Sequence, residues 1–95
     1  MRHRADSNQD ELREVFERMG CSVINLSQVG NGCPDLAVSL HGFTDLVEVK
    51  TEAGKFTPEQ IRFHRESKAT IHEARTAQDC VRIVAKLKQR MREML

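Results

Sequence analysis

Two strand-like segments are separated by only two residues, and this short interval constrains the fold more than any other feature of the sequence. The segments are residues 35–40 and 43–50, with His41 and Gly42 between them. A two-residue connection is typical of a tight β-hairpin, in which glycine at the second turn position adopts a positive φ angle. We therefore expect the two segments to pair as antiparallel strands in a fixed register.

This register brings charged side chains together. Counting outward from the turn pairs Asp35 with Glu48, and paired residues project from the same face of a sheet with Cβ atoms ~5 Å apart. Lys50 lies two residues beyond Glu48 and projects from the same face. Two carboxylates and an ammonium group are thus expected to converge. The opposite face carries mostly apolar residues: Leu36, Val38, Leu40, Phe43, Asp45, Val47 and Val49.

Convergent carboxylates indicate a metal site. Two acids in such proximity repel each other in water, and a bound divalent cation removes this repulsion. Mg²⁺ prefers oxygen ligands, and two carboxylates, a metal ion and an ammonium group are suited to phosphodiester hydrolysis. The alternative interpretation is structural: Pro34 and Asp35 simply begin a strand, while Glu48 and Lys50 lie on a solvated face.

The N-terminal part of the chain predicts one helix and one strand before the hairpin. Ser7 is a candidate N-cap, and apolar residues at helical spacing follow it as far as Gly20, a natural helix stop. Residues 21–26 read as a strand. Residues 27–34 contain Gly30, Gly32 and Pro34 and are expected to form a loop.

Three signals mark the start of a second helix. Thr57 is suited to the N-cap position, Pro58 fits the first helical position, and Gln60 completes a capping box. The helix should run to about Ser67. Residues 70–75 then read weakly as a short strand, which gives the element order αβββαβα once the C-terminal helix is included.

The C-terminal helix is expected to begin near Thr76 and to continue to the end of the chain. Its apolar residues recur at alternating spacings of four and three, which is typical of a coiled-coil seam. The seam consists of Cys80, Val84, Leu87, Met91 and Met94. The core of a 95-residue domain is too small to cover residues 86–95, so we expect these residues to form a homodimer interface. The alternative is a helix that packs on its own sheet.

Length and composition restrict the class of protein. A chain of 95 residues predicts one domain over residues 1–95, with residues 1–6 as a flexible basic arm. A net charge of +1 does not indicate a strongly basic nucleic-acid binder, although it is compatible with a local basic surface. No apolar run approaches the ~20 residues needed to cross a bilayer. Three cysteines without a C-x-x-C pair favour a reducing, cytoplasmic setting. We expect this to be the cytosol of a bacterial or phage-infected cell.

The spacing of Asp35 and the Glu48-Val49-Lys50 tripeptide resembles that of the PD-(D/E)XK nuclease superfamily. The segments "VGNGCPDL", "LVEVK" and "FTPEQIRFH" are similar to the virus-type replication-repair nuclease (VRR-Nuc) family, particularly its short stand-alone forms. The resemblance covers residues 5 to about 80. It implies an α/β fold with a restriction-endonuclease-like αβββαβ core, a mixed sheet flanked by helices, and here an additional C-terminal helix.

The resemblance also implies roles for individual residues. Asp35, Glu48 and the backbone carbonyl of Val49 would bind Mg²⁺, for which Mn²⁺ can substitute. Lys50 would position the attacking water or stabilise charge on the phosphate. Gln60 corresponds to a glutamine beside the active site of the family, although the capping box alone already explains a glutamine at this position.

Two further sets of residues follow from the resemblance and from the helical pattern. Many superfamily members have a glutamate in the first helix, where this chain has Gln9. We expect Asn8 and Gln9 to face the sheet, with Glu11 at the edge of that face; a plain polar first turn is the alternative. Exposed basic residues near the site are candidate contacts for DNA phosphates, or part of an ordinary solvated surface: Lys55, Arg62 and Arg65.

These expectations lead to a metal-dependent, structure-specific DNA endonuclease. By resemblance it would act as a homodimer on four-way, Holliday-type junctions in DNA repair, without a membrane association. Two alternatives are kept: a nuclease without preference for branched DNA, such as a flap, nicking or general nuclease, and a non-catalytic DNA-binding module that retains the fold.

Overall fold

The computed structural model describes the backbone of residues 4–95 and the side chains of residues 8–95. The predicted order αβββαβα is confirmed. The elements are α1 (Arg4–Arg18), β1 (Ser22–Asn25), β2 (Leu36–Leu40), β3 (Phe43–Val49), α2 (Pro58–Glu66), β4 (Ile71–Ala74) and α3 (Ala77–Glu93).

The four strands form one mixed sheet in the order β1-β2-β3-β4. The pairs β1–β2 and β2–β3 are antiparallel, whereas β4 runs parallel to β3. A parallel pair needs a crossover connection, and α2 provides it. This architecture is the α/β arrangement with flanking helices that the sequence predicts.

The hairpin turn has the predicted geometry and register. His41 and Gly42 have φ angles of 53° and 87°, so both central residues are left-handed, as a type I′ turn requires. Leu40 pairs with Phe43 at the turn. The paired positions continue along both strands to Leu36 and Val47, and one further step places Asp35 opposite Glu48.

The apolar face of the sheet is covered by α1 and α3. Phe16 of α1 and Ile83 of α3 are buried in one hydrophobic cluster with residues of the central strands, among them Leu36 and Val47. The helix α2 lies on the opposite face and contributes no buried residue to this core. The face that carries Asp35 and Glu48 is therefore covered more lightly than the other.

The first helix begins earlier than the sequence predicts. It starts at Arg4 rather than after Ser7, so Ser7 lies inside the helix and is not its N-cap. The predicted basic arm falls partly on residues 1–3, which lie outside the described residues. The helix ends at Arg18, and Gly20 has a φ angle of 94°, in agreement with the predicted stop.

The C-terminal helix packs on its own sheet for most of its length. Leu87 is fully buried in the core, and Arg90 reaches the sheet to bind Asp45. The expectation that the core cannot cover residues 86–95 is therefore wrong for Leu87 and Arg90. Met94 and Leu95 do remain 73% and 98% exposed.

Asp45, the acidic residue on the apolar face, is held by two basic side chains. Its carboxylate accepts hydrogen bonds from Nη1 and Nη2 of Arg90, both at 2.8 Å, and shares one of 2.8 Å with His72 Nε2. Burial by itself raises the pKa of Asp45, but the hydrogen bonds and charges of Arg90 and His72 outweigh it and lower the pKa below its usual value. The cluster fastens the end of α3 to β3 and β4.

No helix in the described residues 4–95 is both long enough and apolar enough to cross a membrane.

Arg90→Met is expected to lower the free energy of unfolding by about 3 kcal/mol at neutral pH, because it leaves a buried carboxylate without its main partner. The pKa of Asp45 is depressed in the folded state, so the stabilisation is present above the unfolded pKa of ~3.9 and is lost as the pH falls through the folded pKa. Denaturant unfolding at several pH values measures this. Arg92→Met, on the exposed side of the same helix, is the control, with an expected change below about 0.5 kcal/mol. Equal losses in both variants would contradict the proposed role of Arg90.

Candidate active site

Asp35 and Glu48 lie beside each other at one end of the two central strands, where β2 begins and β3 ends. The carboxylate Oδ2 of Asp35 accepts a hydrogen bond of 3.0 Å from the backbone N–H of Val49. Glu48 is 1% exposed, whereas Asp35 and Lys50 are half-buried. The peptide group that follows Glu48 is thus fixed beside Asp35, and the convergence expected from the hairpin register is present.

The environment of Glu48 disfavours its charge. Burial is the largest cause, followed by a hydrogen bond with Asp35 and the charge of Asp35; together they raise the pKa of Glu48 to about 8, while the ammonium of Lys50 acts in the opposite direction. The Oε1 atom of Glu48 is buried and has no hydrogen-bond partner among the described residues. A buried carboxylate with a free oxygen beside a second acid is suited to a cation.

Gln60 connects helix α2 to two charged side chains of the site, Lys50 and Glu48. Its Oε1 accepts hydrogen bonds from Lys50 Nζ at 2.7 Å and from the backbone N–H of Thr57 at 3.0 Å. Its Nε2 donates to Glu48 Oε2 at 3.3 Å. The side chain therefore completes the predicted capping box and also contacts the site, so the two interpretations of this glutamine do not exclude each other.

Two ring side chains lie next to the charged groups and were not predicted from the sequence. Lys50 Nζ lies 5.3 Å from the ring centroid of Phe56. The imidazole of His64 packs edge-on against Phe56, with centroids 4.8 Å apart. Burial is the main cause that lowers the pKa of His64, which favours a neutral ring at neutral pH. The signal in the sequence was the spacing of four residues between Gln60 and His64, which puts both on one face of a helix.

Asn8 and Gln9 of α1 face the site, as expected. Asn8 Nδ2 donates a hydrogen bond of 2.8 Å to the backbone carbonyl of Lys50, and Gln9 is 8% exposed. Glu11 is exposed and lines a groove of about 590 Å³ together with residues of the loop after β3. Asn8 thus makes the direct contact with the site strand, and a role of Gln9 at the metal stays a prediction.

Arg75 holds the loop that follows Lys50. Its Nη1 donates to the backbone carbonyls of Thr51, Glu52 and Gly54, and its Nε pairs with Glu73. This arginine is committed to the loop and is not counted among the candidate DNA contacts. By comparison, the three basic residues predicted to contact DNA are all exposed, on the loop before α2 and on α2 itself: Lys55, Arg62 and Arg65.

The donor set at the site fits a hard divalent cation. In residues 8–95 no group of three or more His, Cys, Asp or Glu side chains is arranged as a metal cluster, so the site offers two carboxylates, Asp35 and Glu48. Mg²⁺ is commonly bound by one or two carboxylates, with water and phosphate oxygens completing its shell. The unpartnered Oε1 of Glu48 is the observation that favours such an ion.

A search of solved structures finds similarity to a chain described as a "VRR_NUC domain". The two share 32% sequence identity with a TM-score of 0.68, and the match covers 85% of this chain and 94% of the other. No protein-family model matches the sequence, and no curated protein matches it.

Gly32 brings the loop before Asp35 into backbone contact with the start of α2. Its φ angle is 81°, and a Cβ at this position would lie 2.3 Å from the carbonyl oxygen of Glu59 and 3.0 Å from the backbone nitrogen of Gln60. Gly30, two residues earlier, has a φ angle of 78°, with no atom within 4 Å of a Cβ. The loop and Gln60 can approach each other because residue 32 has no side chain.

Gly32→Ala is expected to displace the start of α2 and with it the side chain of Gln60, whereas Gly30→Ala is the matched control with a similar φ angle and free space. The control should lose about 1 kcal/mol of stability, because alanine is strained at positive φ, and Gly32→Ala should lose more. Denaturant unfolding and the NMR signals of the Gln60 side-chain amide measure the two effects. If both variants leave the amide signals unchanged, the close approach does not position Gln60.

Proposed function

The chain belongs to the VRR-Nuc family, and from this premise we propose that it is a metal-dependent, structure-specific DNA endonuclease that hydrolyses phosphodiester bonds. The observation that supports the proposal best is the linked set of Asp35, Glu48, Lys50 and Gln60. A non-catalytic module that only retained the fold would not need a buried glutamate paired with a second acid and joined to a lysine through one glutamine.

Asp35, Glu48 and the backbone carbonyl of Val49 would hold Mg²⁺, with Mn²⁺ as a substitute. When bound, the ion supplies Lewis-acid stabilisation of the negative charge on the scissile phosphate. Asp35 is oriented by the N–H of Val49, and Glu48 by Gln60. These hydrogen bonds leave further lone pairs on both carboxylates, since an ionised carboxylate offers about four acceptor positions.

Lys50 supplies a positively charged side chain at this site. One of the three ammonium protons is directed to Gln60 Oε1, and the other two remain for a water molecule or a phosphate oxygen. Fixed in this way beside Glu48, the ammonium group orients the attacking water and stabilises charge that develops on the phosphate. Because the glutamine that holds Lys50 also caps α2, the ammonium group has a defined position relative to the carboxylates.

The DNA backbone would lie across the lightly covered face that carries α2. Lys55, Arg62 and Arg65 are exposed there and would contact phosphates. Phosphate contacts position DNA without reading its sequence, which agrees with recognition of a DNA structure rather than a base sequence. We propose four-way junctions as the preferred substrate and a homodimer as the active form, because a two-fold symmetric dimer offers two active sites related like the arms of a junction.

The exposed end of α3 is our candidate for the dimer interface. Leu87 and Arg90 belong to the fold of one subunit, so Met94 and Leu95 are the residues of the predicted α3 interface that stay exposed. Burial of an apolar side chain of this size contributes ~1.5–3 kcal/mol.

Glu48→Gln, Asp35→Asn and Lys50→Ala are each expected to reduce DNA cleavage in Mg²⁺ by roughly 100-fold or more while DNA binding persists, because each removes charge that acts on the transition state. Initial rates on labelled DNA and gel-shift titration measure the two properties. Glu17→Gln and Lys88→Ala, at exposed positions on α1 and α3, which cover the opposite face of the sheet, are the matched controls and should cleave like the wild type. Near-normal cleavage by all three site variants would remove the active-site assignment.

Met94→Gln combined with Leu95→Gln is expected to weaken the homodimer at least ~10-fold, measured by analytical ultracentrifugation. Val81→Gln, at a 48% exposed position on the same helix, is the control. A chain truncated after Lys86 would not be a suitable test of the interface, because it also lacks Leu87 and Arg90, which belong to the fold of one subunit.

The same variants test the substrate. On a panel of linear, nicked, flap and four-way DNA, the wild type should prefer the junction and make paired cuts, and the double variant should make unpaired nicks. Unchanged dimer affinity in the double variant would show that the interface lies elsewhere. Equal wild-type rates on all substrates would support the alternative of a nuclease without preference for branched DNA.

A further inference from the structure

Two buried polar atoms beside the carboxylate pair face each other without a hydrogen-bond partner among the described residues. They are Glu48 Oε1 and His64 Nε2, which lie 3.9 Å apart. A buried polar atom that makes no hydrogen bond is costly and rare in native proteins. A metal ion at Glu48 would account for Oε1, but it leaves His64 Nε2 without an explanation.

Helix α2 directs one side chain from each of two successive turns to the same carboxylate. Gln60 donates to Glu48 Oε2, and His64, four residues later, faces Glu48 Oε1. Edge-on packing against Phe56 fixes the plane of the imidazole ring. The separation of 3.9 Å exceeds an N–H···O hydrogen bond by about 1 Å, so the two atoms are neighbours without being hydrogen-bonded in this structure.

We propose that His64 is a positioning residue of the active site, whose Nε2–H donates a hydrogen bond to Glu48 Oε1 when the carboxylate holds its metal ion. Gln60 and His64 would then fix both oxygens of Glu48, and the remaining lone pairs would be available to the metal ion. This inference rests on the proposed function of Glu48 as a metal ligand. Hydrogen bonds to ligating carboxylates typically contribute 10–100-fold to metal affinity or activity.

The competing role for His64 is simple packing against Phe56. The two roles make opposite predictions for two substitutions. His64→Phe keeps a ring against Phe56 but removes the donor, whereas His64→Gln loses the ring and keeps an N–H near the position of Nε2. A positioning role requires the glutamine variant to be the better of the two, and a packing role requires the reverse.

The test compares Mn²⁺ binding by the wild type, His64→Gln and His64→Phe, with electron paramagnetic resonance as the readout, alongside DNA cleavage and thermal unfolding. We expect His64→Phe to bind Mn²⁺ 10–100-fold more weakly while unfolding at a similar temperature, and His64→Gln to stay within about 3-fold of the wild type. His41→Asn, at the exposed hairpin turn, removes an imidazole but tolerates the positive φ angle of this position; it is the control and should bind like the wild type.

Mn²⁺ binding by His64→Phe that equals the wild type, or equal losses in both variants, overturns the positioning role. A measurement on the unmodified chain is independent of how the variants fold: Mg²⁺ should bring the Nε2 proton of His64 into slow exchange with water, and its absence from the NMR spectrum also overturns the role. A wild-type chain that neither binds Mn²⁺ nor cleaves DNA overturns the proposed function itself. If the wild type binds Mn²⁺ and cleaves DNA, and His64→Phe does both equally well, only the positioning role of His64 is overturned.

Discussion

The opposition of Asp35 and Glu48 across the β2–β3 hairpin is the constraint on which the candidate site depends. It follows from the left-handed turn at His41 and Gly42, because a different loop length would shift the register and move one acid to the other face. Burial then makes this opposition chemically significant. The same two acids in water would be ordinary surface charges, whereas here the pKa of Glu48 rises to about 8.

The site joins the hairpin to α2 through side chains with more than one partner. Gln60 caps the helix, binds Lys50 and contacts Glu48. Gly32 lets the loop before Asp35 lie against the same helix start. Since α2 buries no residue fully, it is held in place by polar contacts, by one close backbone approach and by the packing of His64 on Phe56. The stability of α2 and the geometry of the site are therefore coupled, and a change at the cap reaches the carboxylates directly.

The opposite face of the sheet has a different kind of support. There α1 and α3 cover an apolar surface, and the charged cluster of Asp45, Arg90 and His72 closes the end of the layer. A buried ion pair of this kind contributes less to net stability than its contacts suggest, because desolvation offsets the attraction. Its clearest effect is to fix where α3 lies, which leaves Met94 and Leu95 as the exposed apolar residues at the end of that helix.

The sequence by itself determined the features that depend on neighbouring residues. The hairpin register, the capping box at Thr57, and the convergence of Asp35 with Glu48 all follow from interactions within about 15 residues, where the backbone leaves few alternatives. The tertiary structure alone decided the partner of Asp45, which lies 45 residues away at Arg90, and the position of His64 against Glu48. These contacts depend on how whole helices pack on the sheet, and the periodicity of α3 fits a dimer seam and a core-facing helix equally well. Local patterns therefore identified the carboxylates, whereas only packing showed which side chains hold them.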